Sequence, residues 1–205
     1  MVTSVHAYEE AKIRLLNATH SCFAWAGTLK GLLYIHEDVA VPEIRKMAYD
    51  YVTDDVIPCL DTPEHPCPID LARYRDVVLE RFGNPYVRDT NQRVAMDGFS
   101  KIPGFIVPTL RERLERGQSI AAVARLPMLF LAFLERWHAG QLSSAYQDQV
   151  MSPELGHAIC SASNPLEAFV HQRPLWGDLT DDPRLTRAFE IARGEIRTFE
   201  ATAGS

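Results

Sequence analysis

Apolar residues along this chain recur three and four positions apart, and the alternation that marks a half-buried strand is hard to find. The clearest stretch, AYEEAKIRLLNATHSCFAWAGTLKGLLY, places Leu15, Leu16, Ala18, Cys22, Phe23 and Ala26 on helical spacing. It predicts a first helix from about Tyr8 to Tyr34. Small residues also recur on it, with Ala24, Gly27 and Gly31 following His20 at i+4, i+7 and i+11. Gly costs a helix about 1 kcal/mol relative to Ala, so this strip calls for a reason. Close approach of a flat ligand is one, and tight helix packing serves equally well.

Pro42 suits a first helical turn and opens EIRKMAYDYVTDDVI, which Pro58 is expected to stop. CLDTPEHPCP follows as a loop. Asp70 fits the N-cap of LARYRDVVLERF, ended by Gly83-Asn84-Pro85, and Asp89 or Thr90 can cap NQRVAMDGFSK, broken by Pro103 and Gly104. TLRERLERG, IAAVARLPMLFLAFLERWHAG with a kink or boundary at Pro127, SSAYQDQVM, LEAFVHQ and PRLTRAFEIARGEIRTFEA complete about nine helices. With no repeat and no domain-sized linker, residues 1–205 read as a single all-α, multi-helical domain.

Composition narrows the function classes. The 46% hydrophobic and 23% charged residues, spread along 205 positions, suit an ordinary globule with a substantial core. The longest apolar run, LPMLFLAFL, is too short to span a bilayer. Charged residues from Glu9 to Arg14 interrupt the first apolar stretch, so no signal peptide is read and the cytoplasm is expected. A net charge of −6, with basic and acidic residues interleaved, argues against nucleic acid and for a small-molecule or protein partner. Cys22, Cys59, Cys67 and Cys160 lack paired spacing, and Cys59, His65 and Cys67 have no obvious fourth ligand, so no metal site and no disulfide framework is expected.

Two constellations carry candidate chemistry. Lys12, Asn17 and His20 form K-x4-N-x2-H on the first helix. At about 100° per residue, Asn17 lies about 140° and His20 about 80° around the axis from Lys12, toward one side. Oxidising an alcohol without a metal requires a base for the hydroxyl proton and donors for the developing oxyanion; these three side chains can fill those roles. A lysine base must lose its proton near neutrality, which from about 10.4 to about 7.5 means roughly 4 kcal/mol of destabilisation of the charged form. The second constellation, Arg93, Asp97 and Lys101, has i, i+4, i+8 spacing along one predicted helical face, where Asp97 can pair with both cations. Ordered cations suit a polyhydroxylated ligand. Taken alone, such sets are more often solvated faces.

KIRLLNATHS, YDYVTDDVIPCL, RFGNPYVRDTNQRVAMDGFSKIP and RWHAGQLSSAYQDQ together resemble the carboxy-terminal half of the polyol-specific long-chain dehydrogenases, the mannitol dehydrogenase family, from about Val5 onward. The resemblance implies that Lys12 is the general base, that Asn17 and His20 hydrogen-bond the reacting oxygen, and that Arg93 and Lys101 contact distal substrate hydroxyls. It implies NAD as cofactor and a polyol/ketose pair as substrate, with D-arabinitol going to D-xylulose. A mannitol or sugar-acid substrate is the alternative within the family. The family's amino-terminal Rossmann domain is not seen here, since the chain contains no G-x-G-x-x-G. The reading is therefore a fragment, a split gene product or an isolated catalytic half, partnered in cis or in trans by a dinucleotide-binding domain. From a different class, a catalytically silent helical interaction module is the competing expectation. Ala18 replaces the Gly that often follows the motif Asn, a change expected to have little effect.

Overall fold

The computed structural model describes residues 2–142 and 145–202, and its described elements are helices, with one isolated bridge between Tyr34 and Thr90. Eleven helices run in order among the described residues. They are α1 (2–29), α2 (Ile35–Ala40), α3 (42–60), α4 (Leu71–Phe82), α5 (Asn91–Ala95), α6 (98–115), α7 (Ala121–His138), α8 (Pro153–Ser161), α9 (Pro165–Val170), α10 (173–181, ending in a 3₁₀ turn) and α11 (Pro183–Ala201). The all-α reading holds, with corrections in detail. Residues 145–151 of the expected SSAYQDQVM helix are irregular, whereas Ser143 and Ser144 lie outside the described residues. Pro153–Ser161, capped by the Ser152 hydroxyl, and the turn at 173–181 are helical instead.

Prolines expected to end helices are carried through by widened turns. The 42–60 helix passes Pro58, and the 98–115 helix passes Pro103, Gly104 and Pro108. A helical proline has no N–H to donate and its ring collides with the carbonyl four residues back. In both helices the backbone switches locally to π-helical bonding, at Tyr51–Val56 and Ile102–Ile106, so that Ile57 N donates to Val52 O and Val107 N to Ile102 O. A third π segment, Ala11–Asn17, interrupts α1, where Ala18 N donates to Ile13 O.

The three widened segments pack together. Tyr51, fully buried, donates its hydroxyl to the Arg14 carbonyl at 2.7 Å, and Arg14 Nε donates to Thr109 Oγ1 at 3.0 Å. Glu112 Oε2 lies 2.8 Å from Arg14 Nη1. The Arg14 carbonyl, which a regular ladder would pair with Ala18 N, is thus satisfied by a side chain of another helix, and the Arg14 side chain ties α1 to α6.

α7 is the central element, buried from Ala122 to Leu134 apart from Arg125, and packs on α11 and α1. Phe130 sits amid Trp25, Phe99, Phe133, Tyr146 and Phe169 at 5.1–6.3 Å between ring centroids. Pro127 lies inside α7 without ending it. The strip of small residues on α1 turns out to serve packing. A Cβ on Gly27 would stand 1.9 Å from Asp38 Oδ1 and 2.6 Å from Asn91 Nδ2, so Gly27 lets α2 and the start of α5 close on α1. Gly31, at φ +75°, ends the helix in the left-handed region that glycine adopts without strain.

That closure positions the loop before α5. Asn91 N donates to Leu33 O and Ile35 N to Asp89 O, each at 3.0 Å. Residues 89–91 are thereby laid beside 33–35, close to the His20 turn of α1.

Candidate active site

The π segment changes the phase of the first motif. Each widened turn inserts about one residue without advancing the helix, so everything beyond it is set back by about 100°. From Lys12, Asn17 then moves from about 140° to about 40°, and His20 from about 80° to about −20°. On that geometry the three lie within about 60° of one another around the axis. Lys12, Leu16 and His20 line a cleft of about 270 Å³ with Ile35 and His36 of α2, Arg81 and Phe82 of α4, and Asn84, Val87 and Asp89 of the following loop. Asn17 is half-buried, one turn before His20.

Lys12 is exposed, and His20 is mostly covered. The imidazole stacks on Phe82 at 4.5 Å and 17°, and its Nε2 lies 3.2 Å from Asp89 Oδ2, out of line for a hydrogen bond. Burial pulls the His20 pKa down to about 4, opposed by the Asp89 carboxylate and reinforced by the charges of Arg93 and Lys101. His20 is therefore a neutral ring at neutral pH.

The second constellation is assembled differently from expectation. Arg93, Asp97 and Lys101 do not share a helical face, because the helix breaks at Met96 and Asp97, where Asp97 takes the left-handed conformation at φ 60°. Asp tolerates that region better than most residues. The Asp97 N–H donates to Gln147 O at 3.2 Å, and its Oδ1 accepts from Gln149 N at 2.9 Å, so it bridges neither cation. Arg93 instead pairs with Asp89, whose Oδ1 accepts from Nε at 2.8 Å and from Nη2 at 2.6 Å. Lys101 Nζ turns back to donate to Val94 O at 2.6 Å, and burial draws its pKa down against the Asp97 carboxylate. The break nonetheless brings Arg93 and Lys101 near enough to His20 for both charges to oppose its protonation.

Asp89, Phe82 and His36 were not foreseen as site residues. Its place in the sequence marks Asp89 only as a possible N-cap, a role that the Thr90 hydroxyl fills by accepting from Arg93 N. The i, i+4 spacing of Asp89 and Arg93 was the available signal. Arg88 and Asp97 are the positive-φ non-glycine residues among those described, and they flank this short segment. Strained backbone of this kind gathers at functional sites.

A larger cleft of about 720 Å³ lies elsewhere, lined by His6, Cys59, His65, Cys67 and the already paired Arg14 and Glu112. It contains none of the motif residues. Among the described residues no group of three or more His, Cys, Asp or Glu side chains is placed to hold a metal ion. No described helix is long and apolar enough to cross a membrane. The four cysteines are unpaired thiols.

Residues 4–196 match the family model of the mannitol dehydrogenase C-terminal domain. The chain is 58% identical over 201 residues to D-arabinitol 4-dehydrogenase of Ralstonia nicotianae, covering 98% of this chain and 42% of that protein. It is 53% identical over 182 residues to D-arabinitol 4-dehydrogenase of Klebsiella pneumoniae, covering 89% of this chain and 39% of that protein. The fold superposes on Pseudomonas fluorescens mannitol 2-dehydrogenase, solved as a ternary complex with NAD and D-mannitol, with a TM-score of 0.83 at 27% identity. That match covers 96% of this chain and 40% of the solved one. The chain thus spans about two fifths of the length of these relatives.

Proposed function

The chain belongs to the mannitol dehydrogenase C-terminal domain family, and from that premise we propose that it is the catalytic, substrate-binding part of an NAD-dependent polyol dehydrogenase. The reaction is oxidation of a secondary alcohol, D-arabinitol to D-xylulose. The observation that supports this reading is the cleft that Lys12 and His20 line together, with the Arg93-paired Asp89 on its wall. The arabinitol assignment follows two D-arabinitol 4-dehydrogenases with which the chain shares more than half of its aligned residues.

In this reading Lys12 takes the hydroxyl proton as general base. Asn17 and His20 hydrogen-bond the reacting end of the substrate, and Arg93 and Lys101 donate to its distal hydroxyls. Lys12 is exposed in this chain, so the desolvation that a lysine base requires has to come from a second surface over the cleft. Leu33, Tyr86 and Val87, exposed near its rim, suit such a cover.

Among the described residues there is no strand, so the strand–turn–helix that grips a pyrophosphate is not formed. NAD would be held mainly by an amino-terminal dinucleotide-binding domain, in cis or in trans, and would supply the hydride acceptor. Four free thiols fit a reducing cytoplasm.

Lys12→Ala in the two-domain enzyme tests the assignment. Turnover is expected to fall about a thousandfold with little change in cofactor affinity, and near-normal turnover would overturn it. A substrate panel separates arabinitol from mannitol and sugar acids. A silent interaction module is the second reading; polyol oxidation restored by adding the dinucleotide domain in trans would exclude it.

A further inference from the structure

We infer that Asp89 is a positioning residue that fixes His20 as its Nε2–H tautomer, making His20 a hydrogen-bond acceptor toward substrate hydroxyls. This rests on the reading of the cleft as a polyol site.

The geometry constrains both partners. Stacking on Phe82 at 4.5 Å restricts rotation of the imidazole, and Nε2 lies 3.2 Å from Asp89 Oδ2, off the line of the ring N–H. The Asp89 carboxylate is in turn held by Arg93, with Nη2 donating to both of its oxygens at 2.6 Å. The Asp89 backbone is pinned through its carbonyl to Ile35 N and through the neighbouring Tyr34–Thr90 bridge. Arg88, in the left-handed region at φ 47°, turns the chain just before it.

A neutral imidazole carries one N–H, on either nitrogen. Burial, Arg93 and Lys101 keep the His20 ring neutral. Were Nε2 unprotonated, its partial negative charge would lie 3.2 Å from a carboxylate oxygen. Placing the hydrogen on Nε2 converts that repulsion into attraction even before the contact tightens in a filled site. Nδ1 is then the nitrogen with a free lone pair, and an acceptor is what a hydroxyl-rich ligand satisfies. Donation to a developing oxyanion falls to Asn17. Arg93 therefore has a second role, holding Asp89 as well as facing substrate.

Long-range ¹H–¹⁵N correlation on the 205-residue chain at neutral pH reads the tautomer directly, with His20→Gln assigning the signal. His20 is expected as the Nε2–H form in the parent chain and as a mixture in Asp89→Asn, whose side chain can present either end. A parent His20 protonated on Nδ1, or a tautomer unmoved by Asp89→Asn, would overturn the inference. In the two-domain enzyme Asp89→Asn should raise KM for the polyol roughly tenfold, with a smaller change in kcat. Asp89→Glu should recover part of it. If the tautomer responds and KM does not, the positioning stands and the polyol reading of the cleft fails.

Discussion

Replacing Asp38 by Asn should stabilise this chain, by an amount that grows with pH. The Asp38 carboxyl is fully buried, and its Oδ1 accepts from Asn91 Nδ2 at 2.9 Å. Its Oδ2 and the Asn91 Oδ1 are both buried without a partner. Burial, opposed by the Asn91 amide and reinforced by Glu37, pushes the Asp38 pKa up to about 8. Protonation offers a remedy for both orphans, because an acid can donate from Oδ2 to the amide oxygen while Oδ1 keeps the amide hydrogen. Folding near neutrality therefore takes up a proton.

The folded pKa lies above the unfolded value of about 3.9. This contribution to stability is thus complete below about pH 4 and is lost as pH rises toward about 8. One proton gives a slope of about 1.4 kcal/mol per pH unit, so the loss approaches 5–6 kcal/mol over about four units, with about 4 kcal/mol already gone at pH 7. Asn at this position keeps the shape, offers both a donor and an acceptor to Asn91, and does not titrate. Urea unfolding of both chains at pH 5, 6, 7 and 8 measures the difference, in which the other carboxylates largely cancel. It should widen by about 1.4 kcal/mol per unit and level off above pH 8. A difference that stays constant from pH 5 to pH 8 would refute a neutral Asp38.

Tyr51→Phe leaves the Arg14 carbonyl without its 2.7 Å donor inside the widened turn; unfolding free energy should drop by about 1–3 kcal/mol. In the two-domain enzyme the same change should lower kcat by loosening the phase between Lys12 and His20, and unchanged kcat would detach the π turn from catalysis. Gly27→Ala puts a methyl 1.9 Å from the Asp38 carboxylate oxygen. A loss of about 1–3 kcal/mol in urea unfolding is expected, and a neutral outcome would show that α2 is free to shift away from α1.

Helical class and the spacing of the motif residues Lys12, Asn17, His20, Arg93 and Lys101 were legible in the sequence, because periodicity and motif spacing are local properties that survive without neighbours. Proline rules failed at Pro58 and Pro103 for the same reason. A helix can absorb a proline by widening one turn, and whether it does depends on the packing around that turn, here of Tyr51–Val56 and Ile102–Ile106 against the widened turn of α1. The one-face arrangement of the opening motif was likewise looser on regular helical geometry than it is across the π turn. Asp97 read as a bridge between two cations, but a left-handed residue anchored to Gln147 and Gln149 is a tertiary outcome that i, i+4 spacing does not encode. Asp89 escaped notice because its meeting with His20 requires the 89–91 segment to lie against 33–35, and residues nearly seventy positions apart become neighbours only through packing. Sequence alone determined which functional groups are present and that they sit on helices. Only the tertiary structure decided which of them meet, since burial, backbone phase and long-range pairing set distances that no local pattern contains.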